Sequence, residues 1–177
     1  MLYLSDFFLS SVIVFGGCAV HIHTQSRGSA DVDAEVASHG YADKSEIVAL
    51  LDEDAYVFTD EEGMTQLLEL DTSFNTTLAP LHEDYEDRVI RLVTQSNAPN
   101  VEVYVASVLD VAISKLGRFG ERDQHDIQVL LRLSHADIGE FERLARETIS
   151  YYVGDAARIL GNLNVVLDDY HRTEGES

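Results

Sequence analysis

The chain has 177 residues, enough for one hydrophobic core or an α/β domain with a small helical appendage. Its hydrophobic fraction of 45% and charged fraction of 25% are ordinary for a globular protein, but 32 acidic against 12 basic residues give a net charge of −20. So acidic a surface excludes capture of long nucleic acid by its general field, which needs clustered basic residues.

The apolar stretch from Leu2 to Val20 carries Asp6 and is interrupted by Ser10-Ser11 and Gly16-Gly17. It lacks a basic leader and falls short of an unbroken membrane span. It reads as a short helix over Leu2–Ser10, then a buried strand over Val12–Phe15 and a glycine turn. Cys18 to Thr24 reads as a brief helix and Asp31 to Val36 as the second strand. The lone cysteine, Cys18, excludes an internal disulfide or a cysteine-based metal cluster. It reads as a small buried residue, and a reducing cytoplasm is the expected compartment.

Ser45 to Leu51 has helical spacing. Ala55–Thr59 and Thr65–Asp71 flank Asp60-Glu61-Glu62-Gly63 as a hairpin, and Asp87–Thr94 with Val101–Val105 make a second hairpin-like pair. After Ser107 the pattern is helical throughout: Val108–Leu116, Gln124–Leu133, Asp137–Tyr152 and Asp155–Tyr170 repeat apolar residues at three- and four-residue steps. Ser134 and Asp137 read as caps, Gly154 as a stop, and Thr173 to Ser177 as a frayed tail. The expected fold is α/β (α+β): a mixed sheet with flanking helices over residues 1–106, followed by a helical part over 107–177.

The chemistry concentrates first in Phe15-Gly16-Gly17 and in Arg27-Gly28-Ser29-Ala30-Asp31-Val32-Asp33. Alternation on a strand puts Asp31 and Asp33 on one face, where two carboxylates repel unless a hard cation lies between them. Glycines nearby allow close backbone approach to phosphate. In Gln66-Leu67-Leu68-Glu69-Leu70-Asp71, alternation likewise sets Glu69 and Asp71 on the face opposite Leu68 and Leu70. Asp71, at the strand end, is the favoured third carboxylate, with Glu69 the fallback and Glu102 a weaker option. An exposed acidic strand face is the competing reading.

The second concentration is Lys115-Leu116-Gly117-Arg118-Phe119-Gly120-Glu121-Arg122-Asp123-Gln124-His125-Asp126. Lys115 and Arg118 are three apart on one helix, and Asp123 and Asp126 repeat that spacing on the next. Lys44 and Lys115 are the only lysines, so a lysine on an otherwise apolar helix has a task. It carries either charge for a phosphate, with Arg118 assisting, or salt links between the two helices; the two roles are compatible. His82, within His82-Glu83-Asp84-Tyr85-Glu86-Asp87, reads as part of a solvated acidic loop, with an acid–base role as the alternative. His21 and His23 lack the partners a zinc site needs.

A hydrophobic residue, Gly16-Gly17, a spacer and Asp31-Val32-Asp33 resemble the active-site signature of the DNA polymerase beta-like nucleotidyltransferase superfamily. Lys115-x-x-Arg118 followed by Arg122-Asp123-x-x-Asp126 is similar to the C-terminal motif of bacterial nucleotidyltransferase-like proteins related to AbiEii toxins. The two motifs together span residues 12 to 132. The resemblance implies Mg²⁺ or Mn²⁺ held by Asp31, Asp33 and Asp71, with Asp71 as base. It implies an NTP bound through Gly16, Gly17, Arg27, Ser29, Lys115 and Arg118, with Asp123 and Asp126 in support. The implied reaction is nucleotidyl transfer to an acceptor hydroxyl on a tRNA end, a protein or a small molecule. The implied context is toxin–antitoxin or defence, with an antitoxin or a second copy as partner. Where many active members have Gly-Ser, this chain has Gly16-Gly17 and then Cys18, so backbone amides must hold phosphate without the hydroxyl. The alternatives are a catalytically weak module that binds nucleotide or a protein, and an acidic interaction protein.

Overall fold

The computed structural model describes residues 9–26, 28, 31–39, 56–59, 63, 65–71, 79–93 and 101–175. The first strand, β1 (Leu9–Val14), is followed after Phe15 by α1 (Gly16–Thr24) and then β2 (Asp31–His39). Next come β3 (Tyr56–Thr59), β4 (Thr65–Asp71), a 3₁₀ turn (Tyr85–Arg88), β5 (Ile90–Arg91) and β6 (Val101–Val105). The helices α2 (Val108–Lys115), α3 (Glu121–Leu133), α4 (Ile138–Tyr151) and α5 (Ala156–Glu174) complete the chain. The result is a mixed α+β architecture with a helical C-terminal region, consistent with a nucleotidyltransferase-like fold.

The strands form one six-stranded sheet in the order β3-β4-β2-β1-β6-β5. β1 runs antiparallel to β2, with Ile13 opposite Glu35, and parallel to β6, with Val14 opposite Val105. β2 and β4 are parallel, and the two edges are antiparallel pairs, β3 on β4 and β5 on β6. The central β-branched strand is buried as its composition requires: Ile13 and Val14 are covered, and Phe15 is fully enclosed. Phe15 packs its ring against Tyr85 at 5.8 Å.

Helix α1 packs on β2, α2 and α3, while α4 meets α2 and α5 meets α3 and α4. Ile127, Leu130 and Leu131 of α3, Phe141 and Leu144 of α4, and Ile159 and Leu163 of α5 supply the helical side of the core. Asp137 caps α4 by accepting the Gly139 and Glu140 amides, and Asp155 caps α5 through the Arg158 amide. No helix among the described residues is long and apolar enough to cross a membrane.

Several boundaries differ from the sequence expectation. Leu9 and Ser10 belong to β1 and not to a helix, because they pair with His39 and Ser38 of a β2 longer than expected. Helix α1 begins at Gly16 itself. Asp87 and Arg88 leave the second hairpin for the 3₁₀ turn, since Arg88 is drawn to Asp110; Ile90 and Arg91 pair with β6, and the Leu92 amide donates to the Val103 carbonyl. Ser134 ends α3 and caps no following helix. Helix α5 continues to Glu174, so Thr173 is helical and its hydroxyl meets the Asp169 carbonyl. The expected helix Ser45–Leu51 lies outside the described residues.

One buried ion pair ties the sheet's exit to the helices. Asp110, fully buried in the first turn of α2, takes two hydrogen bonds from Arg88 at 3.0 and 2.7 Å and one from the Ser107 hydroxyl at 2.5 Å. Removing one partner of such a pair leaves the other without its counter-charge. Asp110→Ala is expected to cost about 3 kcal/mol of stability, read from the midpoint of urea unfolding, and Asp110→Asn less.

Candidate active site at the start of α1 and the α2–α3 turn

The strand-to-helix turn after β1 is built around Gly16. Its φ of +56° is a conformation that side chains disfavour, and a Cβ placed there would lie 1.5 Å from Asp33 Oδ2. Glycine is therefore required twice over at this position. The Phe15 amide donates to the Asp33 carbonyl at 2.8 Å, which fixes β2 against the turn. The Asp33 carboxylate consequently sits against the first residue of α1, where the helix presents its amide ends. Gly17 is buried beneath it, and Cys18 is half-buried, less covered than its small apolar character suggested.

Across the parallel β2/β4 pair, Asp33 stands opposite Asp71 and Asp31 opposite Glu69. In-register partners occupy positions on one face of a sheet. Four acidic positions thus lie on two adjacent strands, the set that alternation alone had nominated. Glu102 is separated from β2 by β1, and it is engaged by Arg91 at 2.8 Å and by the Tyr104 hydroxyl at 2.7 Å. The side chains of Asp31, Asp71 and Glu69 lie outside the described residues, as do Arg27 and Ser29. Carboxylate oxygens are the donors a hard cation such as Mg²⁺ takes, so the chemistry of these positions fits that ion. Among the described residues no group of three or more His, Cys, Asp or Glu is arranged to hold a metal.

The second motif folds into a charge cluster at the junction of α2 and α3. Lys115 Nζ is 2.9 Å from Asp126 and 3.6 Å from Asp123. Lys115 is 6% exposed, Asp123 2% and Asp126 1%, so all three are enclosed. Arg118 forks onto Asp123, Nε and Nη2 each donating at 2.8 Å, while its side chain stays 77% exposed. Two cations and two carboxylates leave the cluster neutral, the condition under which charges tolerate burial. Asp123 also accepts the Gly120 amide at 3.0 Å and so closes the first turn of α3.

The two cations are therefore not equivalent. The ammonium of Lys115 is held by two buried aspartates, whereas Arg118 leaves Nη1 without a partner among the described residues and faces water. Arg118 is held further into its charged form, first by its hydrogen bonds to Asp123, then by that residue's charge against a burial cost, and less by Asp33 and Asp126. The Asp33 contribution puts Arg118 within electrostatic reach of the α1 turn. Burial pushes the Asp123 carboxyl up, but the Arg118 hydrogen bonds, the Gly120 amide and the charges of Arg118 and Lys115 outweigh it and hold it below the ordinary range.

Other histidines and acids take different places. His82 is buried and not solvated: Nε2 donates to Glu147 at 3.1 Å, Nδ1 accepts the Asp84 amide at 3.1 Å, and Tyr151 meets the ring edge-on. It fastens the 79–84 segment to α4. His23 bonds the Ala106 carbonyl at 2.8 Å and joins α1 to the end of β6.

The residues that pattern reading missed are Glu35 and Tyr85. Glu35 extends the alternation of Asp31 and Asp33 along β2, and the Tyr85 hydroxyl donates to it at 2.5 Å. Burial, followed by the Glu35 carboxylate, drives the Tyr85 hydroxyl far above its usual range. The alternation made Glu35 findable; nothing local pointed to Tyr85, whose partner is 50 residues away.

Two outcomes follow from this geometry. Gly16→Ala must resolve both the left-handed φ and the collision with Asp33, so it is expected to cost about 2 kcal/mol in urea unfolding. A carboxyl held low in the folded state adds stability that is present above its unfolded value of about 3.9 and is lost as pH falls through the lower folded value. Wild-type stability should accordingly fall below about pH 4 with a contribution from Asp123, and thermal melting of Asp123→Asn from pH 7 to pH 2 should show a shallower acid decline.

A family model described as a nucleotidyltransferase of unknown function (DUF6036) matches residues 5–173. No curated protein matches the chain. With the match running over both the Gly16–Asp33 turn and the Lys115–Asp126 cluster, the chain belongs to this nucleotidyltransferase family of unknown function.

Proposed function

We propose that the chain transfers a nucleoside monophosphate from an NTP to an acceptor hydroxyl, with Asp31, Asp33 and Asp71 as the carboxylates of a divalent metal site. The observation that carries the reading is the seating of the Asp33 carboxylate against Gly16, with Asp71 its register partner on β4. This supports the reading because the glycine turn lies against one acidic residue whose register partner on the neighbouring strand is another. Bound Mg²⁺ or Mn²⁺ would offset the charge of the triphosphate.

The protein's own residues supply the rest. The first amides of α1, at Gly16 and Gly17, are the donors assigned to a phosphate oxygen in this reading, with Arg27 and Ser29 as further contacts. Arg118, exposed and prepositioned by Asp123, balances charge that develops on the departing pyrophosphate. Lys115 and Arg118 together neutralise Asp123 and Asp126, which keeps the field of the two carboxylates from repelling the nucleotide. Asp71 takes the proton of the acceptor hydroxyl as its oxygen bonds to the α-phosphorus and the bond to the β-phosphate oxygen breaks. The acceptor is a tRNA end, a protein side chain or a small molecule, and the resemblance to AbiEii-related proteins supports a toxin–antitoxin or defence setting.

The competing reading, a nucleotide- or partner-binding module with little turnover, draws on Gly17-Cys18 where active relatives carry serine. Incubation with each NTP, Mg²⁺ and candidate acceptors, followed by pyrophosphate release, separates the two. Asp33→Asn is expected to reduce release by about 100-fold or more while keeping the fold by circular dichroism. Metal-dependent NTP binding without release, insensitive to Asp33→Asn, would overturn the transferase reading.

A further inference from the structure

The turn that carries Arg118 is held from a distance as well as from its own helix. The last carbonyls of a helix have no partner within it. At the end of α2 the Lys115 carbonyl is met locally by the Phe119 amide at 3.1 Å. The next two carbonyls are met by α5: Asn162 Nδ2 donates to Leu116 at 2.9 Å and Arg158 Nη1 to Gly117 at 2.6 Å. Arg158 and Asn162 are four apart, one turn on the same helical face. They clasp the two residues lying between Lys115 and Arg118.

Two further observations make this contact more than packing. Phe119, next to Arg118, has a φ of +55°, a conformation that a non-glycine residue keeps only when its surroundings enforce it. In a chain with 32 acidic residues, the Arg158 guanidinium bonds a main-chain carbonyl and no carboxylate among the described residues. One of its donors, Nη1, is committed to the shape of the turn.

We propose that Arg158 and Asn162 are positioning residues that set the guanidinium of Arg118 on Asp123, and through it the phosphate contact. The nucleotide part of this assignment rests on the proposed function; the positioning part does not. It extends the site to α5, with Arg158 41 residues along the chain from the Gly117 carbonyl it holds.

The test uses the full chain with Arg158→Ala and Asn162→Ser, and Arg158→Lys as the variant that keeps a cationic donor. Carboxyl ¹³C NMR follows the titration of Asp123, and titration with the Mg²⁺ complex of each of ATP, GTP, CTP and UTP measures affinity. Arg158→Ala is expected to raise the Asp123 titration toward the ordinary aspartate range and to weaken nucleotide binding about tenfold, with Arg158→Lys restoring both. In an Arg118→Ala background the same substitution is expected to add little to the loss. Variants that melt lower but titrate Asp123 and bind nucleotide as the wild type does would overturn the assignment and leave α5 a structural prop. If none of the four NTPs binds the wild type, the nucleotidyl-transfer reading fails, and the NMR titration alone decides whether α5 positions Arg118. Should Arg158→Ala not fold, Asn162→Ser carries both measurements.

Discussion

The arrangement of the helical half depends on one buried lysine. Lys115 sits between Asp123 and Asp126 in a place where none of the three charges would be stable alone. Arg118 completes the balance of charge, and these pairs form only with α2 and α3 brought together, so the cluster ties the turn between them. Arg118 forks onto both oxygens of Asp123 while its side chain stays largely exposed, within electrostatic reach of Asp33. The interaction that lets two aspartates be buried is thus also the one that presents a cation at the surface.

The sheet contributes a constraint of a different kind. Gly16 admits the Asp33 carboxylate into space that any side chain would fill. Backbone pairing does the rest: the Phe15 amide on the Asp33 carbonyl, and Asp33 in register with Asp71. Steric permission on one side and register on the other bring acidic positions and glycine amides to one corner. Phe15 and Tyr85 pack behind that corner, and Tyr85 reaches back to Glu35 on the same strand. The acidic row on β2 is therefore held at Glu35 by the Tyr85 hydroxyl.

A net charge of −20 sets the electrostatic background for both features. Among the described basic residues, Arg88, Arg91, Lys115, Arg118, Arg143, Arg146 and Arg172 all meet carboxylates. Little positive field is left for long polyanions, and what remains is local. A chain whose surface repels polyanions in general depends on specific local contacts to bind any anionic ligand.

Strand alternation, glycine pairs and three-residue helical spacings belong to local sequence, and they made Asp31, Asp33, Glu69, Asp71, Lys115, Arg118, Asp123 and Asp126 legible before any fold was known. The four C-terminal helices were legible for the same reason, since their apolar periodicity is a property of each segment alone. What local sequence could not carry was partnership over distance. Leu9 and Ser10 became strand because β2 was there to pair with them. His82 went to α4, Tyr85 to Glu35, and Arg158 with Asn162 to the carbonyls of α2. Sequence by itself determined which residues hold charge and which faces they take. Only the tertiary structure decided which charges neutralise one another and which is left facing water, because burial and hydrogen-bond geometry exist only once the elements have packed.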